Sequence, residues 1–148
     1  MKNKKLIVLI SCLWCLLGSS RLVCNQLEVE KELHLPHVHG AVYDKAGKPV
    51  AGAKVELVRD DRVVFETTTD KSGAFKFKDA NGLFLLRVLD GRFASAEREV
   101  QVGFELAYAA QNRNLFVLLG PSACADSCST ITTSKKEFEQ IVRRNARR

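Results

Sequence analysis

The sequence lacks the residue groups that most catalytic sites need. Its three histidines all lie between positions 34 and 39, so pairing one of them with a nucleophilic serine or cysteine would require the fold to join distant segments. No serine lies in a G-x-S-x-G motif. Asp60 and Asp61 are adjacent carboxylates at the end of an apolar run, where neighbouring side chains point apart and indicate a solvated turn. We therefore expect no enzymatic activity and no cofactor.

The histidines alone do not complete a metal site. His37 and His39 are two residues apart, so in a strand both project from one face, which the apolar pattern indicates is the outward one. Zinc or copper needs further ligands. His34 is near in sequence, and Cys124 and Cys128 would be near if the first and last strands pair, but no spacing fixes them as ligands. We expect exposed strand histidines and no bound metal.

The chain also lacks an apolar run of about twenty residues, the length that crosses a bilayer. The apolar run at residues 6–17 follows three lysines and precedes the small residues 18–20, which is typical of a signal peptide. We expect residues 1–20 to be removed and the protein to be exported, to the periplasm or the cell exterior. A membrane anchor is the alternative, either through an uncleaved signal or through lipidation of Cys12.

Excess positive charge is confined to the ends of the chain. The whole sequence has 23 basic and 17 acidic residues, and residues 134–148 alone hold six basic and two acidic ones. Without that tail and the signal, residues 21–133 have 14 basic and 15 acidic residues. A nucleic-acid-binding domain would carry a basic patch on its folded body. We therefore expect no nucleic-acid partner, and at most a weak contact of the basic tail with an acidic surface.

The cysteine count predicts one bridge. Export implies an oxidising compartment in which thiols pair. Cys12 and Cys15 lie in the signal, which leaves an odd number, Cys24, Cys124 and Cys128. A local Cys124–Cys128 bridge is feasible if the loop turns like a helix. A bridge from Cys24 to either of the others would tie the N-terminal arm to the last strand and, by loop entropy, would stabilise more. The sequence leaves both open, and we favour the local bridge.

Between His37 and Leu119, apolar and polar residues alternate with period two, and breaks recur about every eight to twelve residues. This pattern is typical of an all-β sandwich or barrel with about seven short strands. Residues 84–88 are apolar on nearly both faces, so we expect that strand to be central. The seven predicted strands cover residues 38–42, 53–57, 63–66, 75–78, 83–88, 96–102 and 114–119.

Three of the breaks share the spacing D-x-x-G. Asp is favoured at the first position of a type I turn and Gly at the fourth, where a left-handed residue leads into the next strand. A calcium loop would need six to eight oxygen ligands, whereas each break supplies one carboxylate and two of the three contain a lysine. We therefore predict hairpin turns at Asp44 and Gly47, Asp70 and Gly73, and Asp79 and Gly82.

The segments "GAVYDKAGKPVAGAKVEL", "TTTDKSGAFKF" and "NGLFLLRV" resemble the carboxypeptidase regulatory-like domain family, and its relatives the transthyretin-like and Cna B-type domains of the carbohydrate-binding-like fold. The resemblance covers residues 37–102 and departs from the family at Gly82-Leu83-Phe84, where a Gly-x-Tyr is usual. It implies a Greek-key antiparallel β-sandwich of the prealbumin or immunoglobulin type. It also implies an exported, non-catalytic accessory or spacer module.

The C-terminal segment has a different composition. Residues 121–133 are small and polar and predict a loop, and Ser134 and Glu137 form an S-x-x-E capping box. Phe138, Ile141 and Val142 follow at helical spacing. We favour a short helix that docks these side chains on the sandwich over an amphipathic contact with a membrane or acidic surface. Residues 104–112 predict either a strand extension or a single helical turn.

The predicted organisation is a signal peptide at 1–20, an N-terminal arm at 21–36, the sandwich at 37–120 and a cysteine-containing loop with a basic helix at 121–148. We expect a structural, spacer or protein-interaction role. The alternative is an accessory carbohydrate-binding module of the cell envelope, so the partner is an unknown protein or an envelope glycan. Sugar-binding modules usually expose planar aromatics, and this chain has one tryptophan, Trp14 in the signal, and two tyrosines, Tyr43 and Tyr108. That scarcity argues against the alternative.

Overall fold

The computed structural model describes residues 32–103, 113–124 and 128–147. The predictions for the signal, for Cys24 and for residues 104–112 lie outside this part of the chain. Within it, no helix is long and apolar enough to cross a membrane. The elements are β1 (Leu33–Leu35), β2 (His39–Asp44), β3 (Lys54–Arg59), β4 (Arg62–Thr68), β5 (Ala74–Lys76), β6 (Gly82–Leu89), β7 (Ala96–Val102), β8 (Leu115–Leu119), β9 (Thr130–Thr132) and the helix α1 (Lys135–Asn145).

The strands form two sheets, and the predicted β-sandwich with a short C-terminal helix is confirmed. One sheet has five strands in the order β1-β7-β6-β3-β4, and the other has four in the order β5-β2-β8-β9. Both sheets are mixed, because β1 pairs with β7 and β2 with β8 in parallel while the other pairs are antiparallel. The antiparallel pattern that we expected therefore fails at these two pairs. Each joins strands far apart in sequence, which a hairpin does not constrain.

The core lies between the sheets and follows the period-two pattern. Alternate residues of β3, β6 and β7 face inward from the five-stranded sheet, and those of β2 and β8 face them. β6 occupies the middle of the five-stranded sheet, as its apolar residues on both faces predicted. Burying one such side chain contributes roughly 1.5–3 kcal/mol. The inward set from these five strands is Val42, Val55, Leu57, Phe84, Leu86, Val88, Val100, Val102, Leu115, Val117 and Leu119.

Two strands were not predicted from the sequence. The residues of β1 were assigned to the N-terminal arm and those of β9 to a polar loop. Each has only three residues, and neither follows a D-x-x-G break of the kind that marked the equally short β5. β9 contains two threonines, and the buried one, Thr132, donates its hydroxyl hydrogen to the Glu137 carboxylate. Its burial therefore depends on a partner in α1 that the local sequence does not reveal.

Helix α1 begins as the capping box predicted and docks on the four-stranded sheet. The Ser134 hydroxyl oxygen accepts a hydrogen bond from the Glu137 backbone N–H at 3.3 Å. The Phe138 ring lies 4.9 Å from that of Tyr43 and 5.1 Å from that of Phe116, measured between centroids. Both partners project outward from the sheet, so the apolar side of the helix covers part of its outer face.

Candidate interaction surfaces

The carboxylates of two D-x-x-G breaks are used inside their own turns. Asp44 Oδ1 accepts the backbone N–H groups of Ala46 and Lys48, both at 2.9 Å. The Gly47 N–H closes the turn by donating to the Asp44 carbonyl oxygen at 2.9 Å, with Gly47 at a φ of 79°. This geometry stabilises a turn and leaves that carboxylate oxygen committed to backbone donors.

Asp70 forms the same kind of turn with an additional hydroxyl. Its Oδ1 accepts from the Ser72 hydroxyl at 2.6 Å, the Ser72 N–H at 2.8 Å and the Ala74 N–H at 3.0 Å. The Ser72 hydroxyl first, and then these two amides, hold the pKa of Asp70 below its ordinary value. Gly73 is required here, because a Cβ at its φ of 76° would lie 2.5 Å from the Val42 carbonyl oxygen.

The breaks at Asp70 and Asp79 are corners between the sheets and not the predicted hairpins. The Asp70 turn leads from β4 in one sheet to β5 in the other, and the Asp79 break returns the chain to β6. Asp79 and Gly82 both have positive φ, 60° and 109°. The β3–β4 hairpin instead turns at Asp60 and Asp61, with φ of 49° and 58°. Positive φ at both residues matches the twist of antiparallel strands.

The structure does not bring His34, His37 and His39 together as a set of metal ligands. His34 lies on β1, with its Nε2 3.4 Å from a Glu32 carboxylate oxygen. His37 is exposed before β2, and His39 begins that strand. Across residues 32–103, 113–124 and 128–147, no group of three or more His, Cys, Asp or Glu side chains is placed to hold a metal ion.

Cys124 and Cys128 are joined by a disulfide, with their Cα atoms 6.2 Å apart. The bridge closes a short loop between β8 and β9. Next to it, the Ser129 hydroxyl donates to the Ala94 carbonyl oxygen at 2.8 Å and accepts the Gly120 N–H at 3.0 Å. Ser129 thereby links the end of β8 to the segment that precedes β7.

A row of charged side chains crosses the outer face of the five-stranded sheet. The register aligns Glu66, Glu56, Arg87 and Glu97 on four neighbouring strands. Glu56 is only 3% exposed, and Lys54 Nζ lies 2.7 Å from one of its carboxylate oxygens. Hydrogen bonds to Glu56, and then to Glu66, raise the pKa of Lys54. The burial of Glu56 depends on neighbours in other strands, so the alternation within β3 does not reveal it.

The same outer face carries exposed apolar residues beside this charged row. Val63 and Val64 on β4 and Leu83 on β6 are 47%, 46% and 49% exposed, and we call these three the apolar row. The register pairs Val58 on the intervening strand β3 with Val63 on β4 and with Leu85 on β6. A groove of about 630 Å³ runs along this end of the sheet, with polar lining from Arg59, Asp60, Asp61, Asn81 and Glu99.

The apolar row lies beside the longest open edge in the described part of the chain. The sheets end at β1, β4, β5 and β9. β1, β5 and β9 have three residues each, whereas β4 has seven. Short edge strands are a common protection against unwanted strand pairing. The sequence carried a signal for this surface, because the consecutive Val63 and Val64 interrupt the alternation, at a β-bulge opposite Leu57 and Val58.

A second groove, of about 390 Å³, lies on the outer face of the four-stranded sheet. Its lining includes His39, Tyr43, Asn114 and Phe116. The rings of Tyr43 and Phe116 contact Phe138 of the helix, so part of their apolar surface is already covered. The lining of this groove therefore combines aromatic rings with hydrogen-bonding groups, as a sugar-binding site does.

Comparisons with known proteins found one matching family and a weak likeness to a solved structure. A family model described as the carboxypeptidase regulatory-like domain matches residues 37–110. A solved structure of 5-hydroxyisourate hydrolase from Klebsiella pneumoniae is similar to the chain, with a TM-score of 0.46 and 15% identity. That alignment covers 71% of this chain and 100% of the hydrolase chain. No curated protein matches the sequence.

Proposed function

The chain belongs to the carboxypeptidase regulatory-like domain family, and on that basis we propose that it is an exported, non-catalytic β-sandwich module that binds another protein. The observation that carries the proposal is the position of the apolar row, Val63, Val64 and Leu83, beside the seven-residue edge of β4. Contiguous exposed apolar residues with a polar rim are typical of protein-binding surfaces.

The partner that fits this surface is an extended protein segment. A strand added to the open edge of β4 would gain main-chain hydrogen bonds, and its outward side chains would lie over the apolar row. Asp60, Asp61 and Glu99 line the adjoining groove with only Arg59 as a cation among its lining residues. The charge favours a segment in which apolar residues are accompanied by lysine or arginine.

Two further features support the non-catalytic and exported parts of the proposal. At the turns of Asp44 and Asp70, one carboxylate oxygen of each residue accepts hydrogen bonds from backbone amides. Such oxygens are poor candidates for acid–base chemistry. The Cys124–Cys128 disulfide is of the kind that persists in oxidising compartments. N-terminal sequencing of the protein recovered from an envelope or culture fraction tests export, which predicts a start close to residue 21.

Photo-crosslinking in cells of the source organism tests the binding surface. Val64 or Leu83 is replaced by p-benzoylphenylalanine, and Ser95, exposed at the other end of the five-stranded sheet, is the control position. We expect light-dependent adducts of defined mass from the two surface positions and not from Ser95. The adducts should disappear when Val63→Lys is added. Adducts of equal yield from Ser95, or none from Val64 and Leu83, contradict the proposed surface.

An accessory carbohydrate-binding role is the second candidate, and the groove beside Tyr43 and Phe116 is the observation that favours it. Glycan-array binding by the purified protein, lost in Tyr43→Ala, would replace the protein-binding proposal. Retention of wild-type array signals by Tyr43→Ala would show that the sugar binds elsewhere or non-specifically.

A further inference from the structure

Two segments that are distant in sequence bring their basic residues together beside the C-terminal helix. A Cβ built on Gly47 would lie 3.0 Å from Val142 Cγ1, so the Asp44 turn packs directly against α1. Lys45 and Lys48 flank Gly47, and arginines follow Val142 in the chain. We call Lys45, Lys48, Arg143, Arg144 and Arg147 the basic patch.

The basic patch faces solvent. Phe138 packs on the sheet and Val142 on the Asp44 turn, which directs Arg143 to the outward side of α1. Arg143 is 76% exposed, Lys48, Arg144 and Arg147 are exposed as well, and Lys45 is half-buried. The acidic residues nearby do not balance this charge, because Glu139 pairs only with Arg143, at 3.5 Å, and Asp44 accepts backbone hydrogen bonds within its turn.

Helix stability does not account for the whole patch. Cations in the last turn of a helix interact favourably with its dipole, and Arg143 and Arg144 satisfy that preference. Lys45 and Lys48 come from a turn that precedes the helix by about ninety residues, and Arg147 follows the end of α1. These three cations add nothing that the helix requires, so their convergence needs another explanation.

We propose that the basic patch docks the module on an anionic phospholipid surface. Binding is electrostatic and superficial, because the apolar side of α1 is already packed on the sandwich through Phe138 and does not enter the bilayer. A single-stranded nucleic acid would need exposed aromatic rings for stacking, and the rings at this site, Tyr43, Phe116 and Phe138, contact one another. The inference goes beyond the proposed function, since the patch lies on the opposite side of the sandwich from the apolar row.

Co-sedimentation with lipid vesicles tests the proposal on the protein as cells produce it. The vesicles are phosphatidylcholine alone or phosphatidylcholine mixed with phosphatidylglycerol. We expect binding to the mixed vesicles that weakens steeply as salt is raised, because screening shortens the reach of the charges. Each basic residue near an anionic surface is worth about a fivefold change in partitioning, so Lys45→Gln/Lys48→Gln should weaken binding by about 25-fold.

The matched control removes two cations outside the patch, Arg62→Gln/Lys78→Gln. Arg62 lies on β4, and Lys78 lies beyond β5 near the His39 end of β2, away from the Asp44 turn. This control should bind mixed vesicles as the unmodified protein does. Equal loss in the control, or equal binding to vesicles without phosphatidylglycerol, overturns the proposal. Binding to heparin that is at least as tight as to the mixed vesicles, and equally lost in the Lys45→Gln/Lys48→Gln variant, assigns the patch to a soluble polyanion and also overturns it.

Discussion

At the scale of single residues, buried polar atoms fix the corners of the sandwich. Thr69 follows β4 and is 5% exposed. Its hydroxyl donates to the Val50 carbonyl oxygen at 2.7 Å and accepts the Ala53 N–H at 2.9 Å. One side chain thus holds the end of β4 against the turn that leads into β3.

Thr69→Val should destabilise the protein by about 1–3 kcal/mol, because it leaves a buried carbonyl and a buried N–H without their partner. Urea-induced unfolding measures the change. Thr68→Val, at the exposed neighbouring position, is the control and should stay within about 0.5 kcal/mol of the unmodified protein. A similar loss in both variants would mean that valine disturbs the strand and not the hydrogen bonds.

Asp70 makes stability depend on pH in a defined direction. Its pKa is lowered in the folded protein, chiefly by the Ser72 hydroxyl. The stabilisation is therefore fully present above the ordinary carboxyl pKa and is lost as pH falls from about 4 through the lowered value. Asp70→Asn should be less stable than the unmodified protein at neutral pH, and the difference should shrink on acidification. A difference that is constant from neutral to acidic pH would exclude this role.

Residue types at turns were predictable from sequence, whereas burial on the outer face was not. Asp44, Asp70 and their glycines act locally, within four residues, so their spacing indicated the turns. Glu56 is buried by Lys54, by Arg87 and by a register that joins three strands. No local pattern contains that information.

At the scale of elements, the parallel pairing of β2 with β8 depends on a close backbone approach. A Cβ at Gly40 would lie 2.2 Å from the Leu115 carbonyl oxygen. β2 is interior to its sheet, between β5 and β8, so displacing it disturbs two pairings.

Gly40→Ala should cost about 2 kcal/mol or more in the free energy of unfolding, since backbone atoms cannot yield as a flexible side chain does. Gly91→Ala is the control, because a Cβ there meets nothing within 4 Å. Chemical denaturation of the two variants compares them directly. Equal stability of Gly40→Ala and Gly91→Ala would contradict the close approach.

Seven of the nine strands in the described part of the chain were predicted from alternation, and β1 and β9 were not. β5 is equally short, but it directly follows the D-x-x-G break at Asp70 and Gly73, which indicated where a strand begins. The parallel pairs β1–β7 and β2–β8 were also missed, because pairing between distant strands depends on how the sheets close. The helical spacing of Phe138, Ile141 and Val142 predicted that α1 packs on the sandwich. It did not predict that α1 lies next to Gly47.

At the scale of the whole molecule, the two outer faces of the sandwich differ in chemistry. One carries the apolar row next to a long open edge, and the other carries α1 and the basic patch. A module of this kind can present one side to a charged surface and the opposite side to a protein partner.

Because about half of each side chain in the apolar row is exposed to solvent, replacing these residues should change surface behaviour more than folding. Val63→Lys/Leu83→Lys should elute earlier from a phenyl hydrophobic-interaction column, while the free energy of unfolding stays within about 0.5 kcal/mol per site. Val58→Lys, at a 6% exposed position under the row, is expected to destabilise the protein. Loss of folding in the first variant would show that the row is part of the core.

The unequal lengths of the sheet edges set a limit on assembly. A polypeptide that pairs with β4 extends one sheet by one strand, while β1, β5 and β9 offer only three residues each for further pairing. Association through this edge is therefore expected to stop at a one-to-one stoichiometry. Such a complex would remain discrete and would not propagate into fibres.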